Sequence, residues 1–224
     1  MDRFIAAAAQ DKVEDGDLVL CPVSGWAYQR EVGETVPYDS AYFDKCRGYE
    51  GKEIARAINS GRITLVDNFI GPLAKVLDIG IGSGEFIARR AGPTWGRDVN
   101  PAAVQWLKNR GLWAPDDWSI FSGFTFWDVI EHVPEPERYL SAIPRGRHLF
   151  TSLPIFSDLW KIRESRHYRP NEHLYYWTEN GFVRWMDLHG FRAVWSGDFE
   201  TRAGRESIRS FAFLKDRAPA PDLV

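Results

Sequence analysis

The pattern of apolar and polar positions changes near residue 73. From there on, short apolar runs alternate with amphipathic stretches, as in a parallel sheet that is covered by helices on both faces. Two β-rich runs joined by a turn then close the chain. The pattern predicts strands at 75–79, 94–99, 112–120, 121–127 and 147–152, followed by closing runs at 191–199 and 207–215.

The helices between these strands have recognisable boundaries. Asn100 supplies an N-cap and Pro101 a first helical residue, and this helix stops at Gly111. Two further helices are predicted from about Glu85 to 91 and from Thr178 to 189. The chain therefore has the element order of an α/β domain.

Residues 1–70 precede the first strong strand and have a mixed character. They hold an apolar stretch at 18–20 and an amphipathic helical region that includes Ile54 and Ile58. Gly71 and Pro72 mark a boundary. We predict an N-terminal extension over 1–70, a main domain over 71–217 and a flexible tail over 218–224.

A glycine-rich turn is the most informative segment of the chain. Residues 75–86 read KVLDIGIGSGEF, so an apolar strand runs directly into Gly80, Gly82 and Gly84, and a helix follows. Glycines let the backbone turn tightly and approach a ligand closely. A turn between a strand's carboxyl end and a helix N-terminus is where open α/β sheets bind nucleotide-like ligands.

The spacing of this turn argues against a dinucleotide. The dinucleotide fingerprint needs a third glycine five residues after the first, and Glu85 stands at that position. Asp78 also places a carboxylate near the turn, which would repel a diphosphate. A ligand with a positive centre is favoured, and a nicotinamide oxidoreductase is disfavoured.

The turn resembles motif I of class I S-adenosylmethionine-dependent methyltransferases, in which Asp-x-Gly-x-Gly-x-Gly follows an apolar strand. The resemblance covers roughly residues 38–215. Within the class, the chain is similar to the ubiquinone-biosynthesis-type branch, methyltransferase types 11, 12 and 23. It implies a Rossmann-like, doubly wound α/β fold with three αβα layers. It also implies a mostly parallel seven-stranded sheet with an antiparallel last strand. The cofactor implied is S-adenosylmethionine, with S-adenosylhomocysteine as product.

An acid after the second strand fits the same cofactor. Asp98 lies 18 residues beyond Gly80, near the distance at which an acid binds ribose hydroxyls in nucleotide-binding folds. The alternative is that Asp98 merely caps the turn before Pro101. The segment GRDVNPAAVQWL resembles the family's second motif, which makes Asp98 and Val99 cofactor-binding candidates.

A second segment carries the resemblance further. Residues 124–140 read FTFWDVIEHVPEPERYL and are similar to the Glu-His-Val-Pro-x-Pro segment of the ubiquinone-type branch. The resemblance implies that Trp127 and Asp128 border the cofactor and that Glu131 and His132 face the cleft. The piece NEHLYYWTENGF resembles another Glu-His segment, which adds His173. Either histidine could serve as a general base near neutral pH.

Three further site predictions depend on single residues. Asp116 and Asp117 are candidates for holding the adenine ring, and Asp117 enters our predicted cofactor set. Tyr38 and its neighbours resemble an aromatic helix that closes over the cofactor in relatives. Cys21 begins a Cys-Pro-Val-Ser-Gly piece that resembles half a zinc knuckle, but Ser24 replaces the second cysteine. We therefore predict no metal.

Composition narrows the partners. The 224 residues carry a net charge of −3 with a pI near 6.0, so no global basic field indicates nucleic acid. Two cysteines, no membrane-length apolar run and no signal-peptide pattern predict a cytoplasmic protein. The basic segment 161–173 could receive an anionic group of a substrate, or it is a solvated charged face. Oligomeric state stays open.

Together these features predict a methyltransferase that acts on a small-molecule acceptor, with the acceptor atom open among oxygen, nitrogen and carbon. The catalytic cysteine of cytosine-5 enzymes and the Pro-Pro motif of exocyclic-amine DNA enzymes are both absent after the fourth strand. A nucleic-acid or protein methyltransferase and a non-catalytic cofactor-binding protein remain as alternatives.

Overall fold

The computed structural model describes residues 11–33 and 36–220. Most of the chain winds around a six-stranded mixed sheet, which has helices packed on it. Its strands are β4 (Val76–Ile79), β5 (Thr94–Arg97), β6 (Gly123–Trp127), β7 (His148–Pro154), β9 (Phe191–Gly197) and β10 (Ile208–Lys215). The predicted flexible tail lies partly outside the described residues.

The order of these strands is β5-β4-β6-β7-β10-β9. The first four are parallel to one another, and β10 pairs antiparallel with both β7 and β9. The α/β, Rossmann-like prediction with an antiparallel last strand is therefore confirmed. Because β4, β5 and β6 are parallel neighbours, their carboxyl ends share one edge of the sheet.

The predicted third strand over 112–120 was wrong, and so was the expected count of seven. A single bridge between Gly96 and Trp113 stands in its place, and a 3-10 helix follows at Trp118–Ile120. Pro115 has no N–H to donate to a ladder, and the Asp117 side chain accepts from the Ser119 N–H and starts the 3-10 turn. The pairing therefore ends after one residue, and the main sheet of the described residues has six strands.

The helices follow from amphipathic patterns and caps. They are α1 (Ser40–Arg47), α2 (Glu53–Ile70), α3 (Glu85–Arg89), α4 (Pro101–Asn109), α5 (Pro136–Ala142), α6 (Glu179–Leu188) and α7 (Phe199–Arg202). The predicted caps of two helices are confirmed, because Asn100 accepts from the Ala102 N–H and Thr178 from the Gly181 N–H. Among the helices within 11–33 and 36–220, none has the length and apolar character needed to span a bilayer.

The N-terminal residues build a second, antiparallel sheet. Strands β1 (Val13–Asp15), β2 (Leu18–Cys21) and β3 (Trp26–Gln29) form a meander, and β8 (Tyr175–Trp177) pairs with β3. Because β8 comes from the main domain, the early strands pack into the same core as the six-stranded sheet. This packing places the segment before β8 beside the loop that follows β6.

Candidate active site

The glycine turn follows β4 and adopts the backbone that only glycine accepts easily. Gly80, Gly82 and Gly84 have φ angles of 72°, 55° and 82°. A Cβ on Gly80 would lie 2.5 Å from Val129, and one on Gly84 would lie 2.7 Å from Trp106. Two of the glycines therefore allow close packing of the turn.

Gly82 differs from its neighbours because a Cβ built on it would meet nothing within 4 Å. Its backbone faces open space at the carboxyl edge of the sheet. Close packing therefore does not explain this glycine, whereas its φ of 55° does, and its open side leaves room for a ligand against the turn. The turn thus fits the close backbone approach that a nucleoside-containing cofactor needs.

Asp98 lies at the end of β5, beside the glycine turn. Its carboxylate accepts from the Asn100 N–H at 2.8 Å. Burial raises the pKa of Asp98, while the backbone N–H groups of Asn100 and Ile81 act in the opposite direction. The carboxylate therefore lies within range of the turn itself, and Val99 next to it is 71% exposed.

Asp78 lies inside the sheet. Its side chain is 1% exposed and accepts from the Thr125 hydroxyl at 2.6 Å, which links β4 to β6. Burial raises the pKa of Asp78 to about 7. This buried bond was not visible in the sequence, because Thr125 lies 47 residues away.

Trp127 is the last residue of β6, and Asp128 follows it. Both lie beside buried charged side chains. The Trp127 ring lies between Phe86 and the Arg62 guanidinium, which is 4.8 Å from the ring centre. Within the part of the chain that the structure describes, the buried Trp127 Nε1 has no hydrogen-bond partner. Asp128 adopts a φ of 58°, which is uncommon for a non-glycine residue.

Asp128 belongs to a group of four charged side chains at the end of β6. We call this group the charge cluster: Arg62, Asp128, Glu200 and Arg205. Arg62 donates to Asp128 at 2.9 Å and to Glu200 at 2.7 Å, and Arg205 donates to the same two carboxylates. Burial alone would raise the pKa of Asp128, but the two guanidinium groups hold it well below its usual range. The cluster thus fixes a strained backbone position at the edge of the glycine turn.

Sequence reasoning missed Arg62, Glu200 and Arg205. One signal was present, since Arg62 falls on the buried face of α2 between Ile58 and Leu65, at helical spacing. A charge at a buried position requires a buried partner. That partner could not be named from the sequence, because Glu200 lies 138 residues further along.

The two predicted catalytic histidines lie together. His132 ends a 3-10 helix at Ile130–His132 after β6, and His173 lies just before β8. Their ring centres are 4.6 Å apart at 85°. Burial lowers the pKa of both rings, that of His173 to about 3. Both imidazoles are therefore neutral at physiological pH.

The segment before α1 connects these histidines to the predicted cofactor edge. The Tyr38 hydroxyl lies 3.2 Å from His132 Nδ1, and the Asp39 carbonyl accepts from the Asn100 side chain at 2.7 Å. Burial raises the pKa of Tyr38 to about 12, and both Glu131 and Asp98 contribute. The segment of Tyr38 and Asp39 therefore lies beside both the histidine pair and the loop after β5 that holds Asp98.

Asp117 is the predicted residue that the structure does not bring into this group. It is exposed, and its side chain accepts from the Ser119 N–H at 2.9 Å. Its neighbour Asp116 binds Arg97 at 2.5 Å, and Arg97 stacks on Trp113. Asp116 is thus the acid of this loop that contacts the end of β5.

Comparison with known proteins agrees with this geometry. Residues 51–196 match the sequence model of a family described as a methyltransferase domain. The matched region is well over half of the chain and includes the glycine turn, Asp98 and the histidine pair. No curated protein sequence matches the chain.

Three solved structures show the same fold. A Haloferax volcanii methyltransferase in complex with the activator Trm112 gives a TM-score of 0.57 at 12% identity, over 79% of this chain and 95% of the other. The 1,6-didemethyltoxoflavin-N1-methyltransferase of Burkholderia thailandensis, with its substrate and S-adenosylhomocysteine, gives 0.54 at 15% identity, over 92% and 100%. The magnesium protoporphyrin IX methyltransferase of Synechocystis PCC 6803, with S-adenosylmethionine bound, gives 0.52 at 18% identity, over 80% and 93%.

At these identities the structural similarity establishes the fold, and the family match over 51–196 establishes the membership. The predicted resemblance to class I S-adenosylmethionine-dependent methyltransferases is therefore confirmed. The chain belongs to the methyltransferase-domain family and is a class I S-adenosylmethionine-dependent methyltransferase.

Proposed function

We propose that this methyltransferase acts on a small-molecule acceptor, which binds between the glycine turn and the histidine pair. The observation that carries the proposal is the burial of the polar side chains on the histidine side of this proposed cleft. Glu131 and His173 are 2% and 4% exposed, and Tyr38 contacts His132. An acceptor that reaches groups so deeply buried must be compact, which disfavours a macromolecular surface.

The predicted cofactor residues fit S-adenosylmethionine. The open side of Gly82 gives space for close contact. We assign the ribose hydroxyls to the Asp98 carboxylate, and the exposed Val99 follows it in the chain. Trp127 offers an unpartnered buried N–H and an aromatic wall. The bound cofactor supplies an electrophilic methyl group on a sulfonium sulfur, and the protein contributes mainly by positioning.

The charges of segment 161–173 favour a small acceptor over nucleic acid. Arg163 pairs with Asp17, Arg166 with Glu206 and Arg169 with Glu172. Arginines that already face carboxylates present no row of free positive charges for a phosphate backbone. The same pairing gives no support to the expectation of an anionic acceptor, so our proposal does not include one.

Two relatives by fold have small-molecule acceptors named in their structures, a didemethyltoxoflavin and a magnesium protoporphyrin. They support the acceptor class but do not identify the acceptor of this chain. The roles of the histidines stay predictions, because a base is needed only where the acceptor loses a proton.

A radiolabelled methyl-transfer assay tests the proposal. The chain is incubated with methyl-labelled S-adenosylmethionine and, separately, with panels of phenols, amines and heterocycles, with total RNA, with DNA and with protein extract. We expect label in small-molecule fractions and none when Gly82→Val replaces the wild type. Label that appears only in RNA, DNA or protein would overturn the small-molecule assignment.

A further inference from the structure

Three residues near the acceptor side of the cleft have the composition of a metal site. Glu131, His132 and His173 each offer a ligand atom, and these atoms all lie within 4.8 Å of one another. Glu131 Oε1 is 3.8 Å from His132 Nε2. A backbone bond of 2.7 Å from the Leu174 N–H to the Glu131 carbonyl fixes the two segments side by side.

The Glu131 carboxylate is the second observation that indicates a cation. Its side chain is 2% exposed, and within the described residues neither of its oxygens has a hydrogen-bond partner. An unpaired buried carboxylate is costly in free energy, so the group either holds a proton or faces a cation. Two unpartnered oxygens beside two imidazoles provide the donor set of a divalent ion.

The orientation of the His132 ring suits ligation. The Tyr38 hydroxyl can accept from His132 Nδ1–H at 3.2 Å, and this leaves the Nε2 lone pair on the side of Glu131. A hydrogen bond of this kind on the second ring nitrogen is the usual support of a metal-binding histidine.

We propose that Glu131, His132 and His173 bind one divalent transition-metal cation. Two imidazoles and one carboxylate suit Zn²⁺, Fe²⁺ or Co²⁺ better than Mg²⁺ or Ca²⁺, which prefer oxygen ligands alone. Ligand bonds of about 2.1 Å in a tetrahedral site place ligand atoms about 3.4 Å apart, so atoms that lie within 4.8 Å of one another must approach by up to about 1.4 Å, which side-chain rotation can supply. The prediction of no metal, which rested on the Cys21 segment, did not consider these residues.

Three protein ligands leave coordination positions open. Because the site borders the cleft, these positions are available to an oxygen of the acceptor, and the ion would lower the pKa of an acceptor hydroxyl. This role rests on the proposed function, whereas binding of the ion does not. The two parts can therefore fail separately.

Metal titration of the full chain tests binding without any turnover. The protein is treated with a chelator, dialysed and titrated with Co²⁺, with ligand-field absorption and bound metal per chain as the readouts. We expect one ion per chain with a micromolar or tighter Kd. His173→Gln should weaken Co²⁺ binding about tenfold or more. The matched control is His167→Gln, because His167 is also buried but bonds the Glu206 carbonyl outside the cluster.

A second variant keeps the test decisive if His173→Gln does not fold. Glu131→Gln replaces the buried, unpaired carboxyl with a neutral amide of the same shape, so the metal-free variant should melt at or near the wild-type temperature while losing the Co²⁺-induced rise in Tm. Absence of stoichiometric Co²⁺, or equal affinity in the wild type and the folded Glu131→Gln variant, would overturn the site. Normal Co²⁺ binding without S-adenosylmethionine binding would instead count against the proposed function alone.

Discussion

At the scale of single residues, Gly82 is the position where the cofactor contact can be separated from packing. Gly80 and Gly84 pack against the side chains of Val129 and Trp106, so a side chain at either glycine would disturb the fold and the site together. Gly82 faces open space instead. A side chain at this position therefore acts mainly on what binds against the turn.

We expect Gly82→Val to abolish S-adenosylmethionine binding, because the branched side chain occupies the space next to the backbone. The positive φ adds a strain of about 1 kcal/mol or more to the fold. Gly146→Val is the matched control, since Gly146 has a φ of 78°, open surroundings and a position before β7, at the opposite edge of the sheet. Calorimetric titration should show lost binding only in Gly82→Val, and retained affinity there would contradict the assignment.

Asp98 gives the second prediction at this scale. Removing a carboxylate that accepts from two hydroxyls costs about 1.5–3 kcal/mol, or roughly 10- to 100-fold in Kd. We expect this loss in Asp98→Ala and a smaller one in Asp98→Asn. Asp117→Ala is the comparison, because the exposed Asp117 bonds only its own 3-10 turn among the contacts described. Equal effects in Asp98→Ala and Asp117→Ala would contradict the ribose assignment.

At the scale of elements, the charge cluster ties α2 and α7 to the end of β6. Glu200 is fully buried and accepts from both Arg62 and Arg205. In Glu200→Gln two guanidinium groups would share Asp128 alone, and an unbalanced buried charge costs about 3–5 kcal/mol. We expect urea unfolding to show a loss of this order, against less than about 1 kcal/mol for the exposed-pair control Glu179→Gln.

The charge cluster also predicts how the free energy of unfolding depends on pH. Because the folded-state pKa of Asp128 is depressed, its contribution is fully present above the unfolded-state value of about 4 and is lost as pH falls below it. The unfolding free energy of the wild type should therefore drop more steeply below about pH 4 than that of Asp128→Asn. Parallel pH profiles for the two proteins would show that the cluster does not hold the carboxylate charged.

Sequence patterns predicted elements well where a local signal exists. Asn100 and Thr178 cap helices within two or three residues, so local chemistry fixes those boundaries. The predicted strand over 112–120 was wrong because Pro115 has no N–H to donate and the Asp117 side chain starts a 3-10 turn instead. The second sheet is local only in part. Strands β1 to β3 lie within residues 13–29, where the sequence indicated no more than an apolar stretch at 18–20, and the pairing of Tyr28 with Tyr175 spans most of the chain.

The residues of the candidate site also divide into those that a local motif indicates and those that depend on long-range contacts. The glycine turn and Asp98 form a local motif, so the sequence indicated both. The charge cluster and the neighbourhood of Glu131 with His173 depend on contacts between distant segments, which no spacing rule reveals. Folding alone brings these groups to one edge of the sheet.

At the scale of the whole molecule, the proposed methyl transfer depends on one cleft at the carboxyl edge of the main sheet. The glycine turn and Asp98 form one side, and the histidine pair forms the other, with Tyr38 between them. The N-terminal sheet contributes by fixing β8 and thereby His173. The proposed methyl transfer requires that this cleft receive S-adenosylmethionine, whereas binding of the metal ion and the stability of the charge cluster do not.

Isothermal titration calorimetry of the full chain with S-adenosylmethionine, S-adenosylhomocysteine and NAD tests this requirement most directly. We predict one site per chain for both adenosyl compounds and no measurable heat of binding with NAD. Neither adenosyl compound should bind to Gly82→Val, and both should bind to Gly146→Val. Binding of NAD in place of the adenosyl compounds, or no binding of either adenosyl compound to folded protein, would contradict the assignment of S-adenosylmethionine as the cofactor.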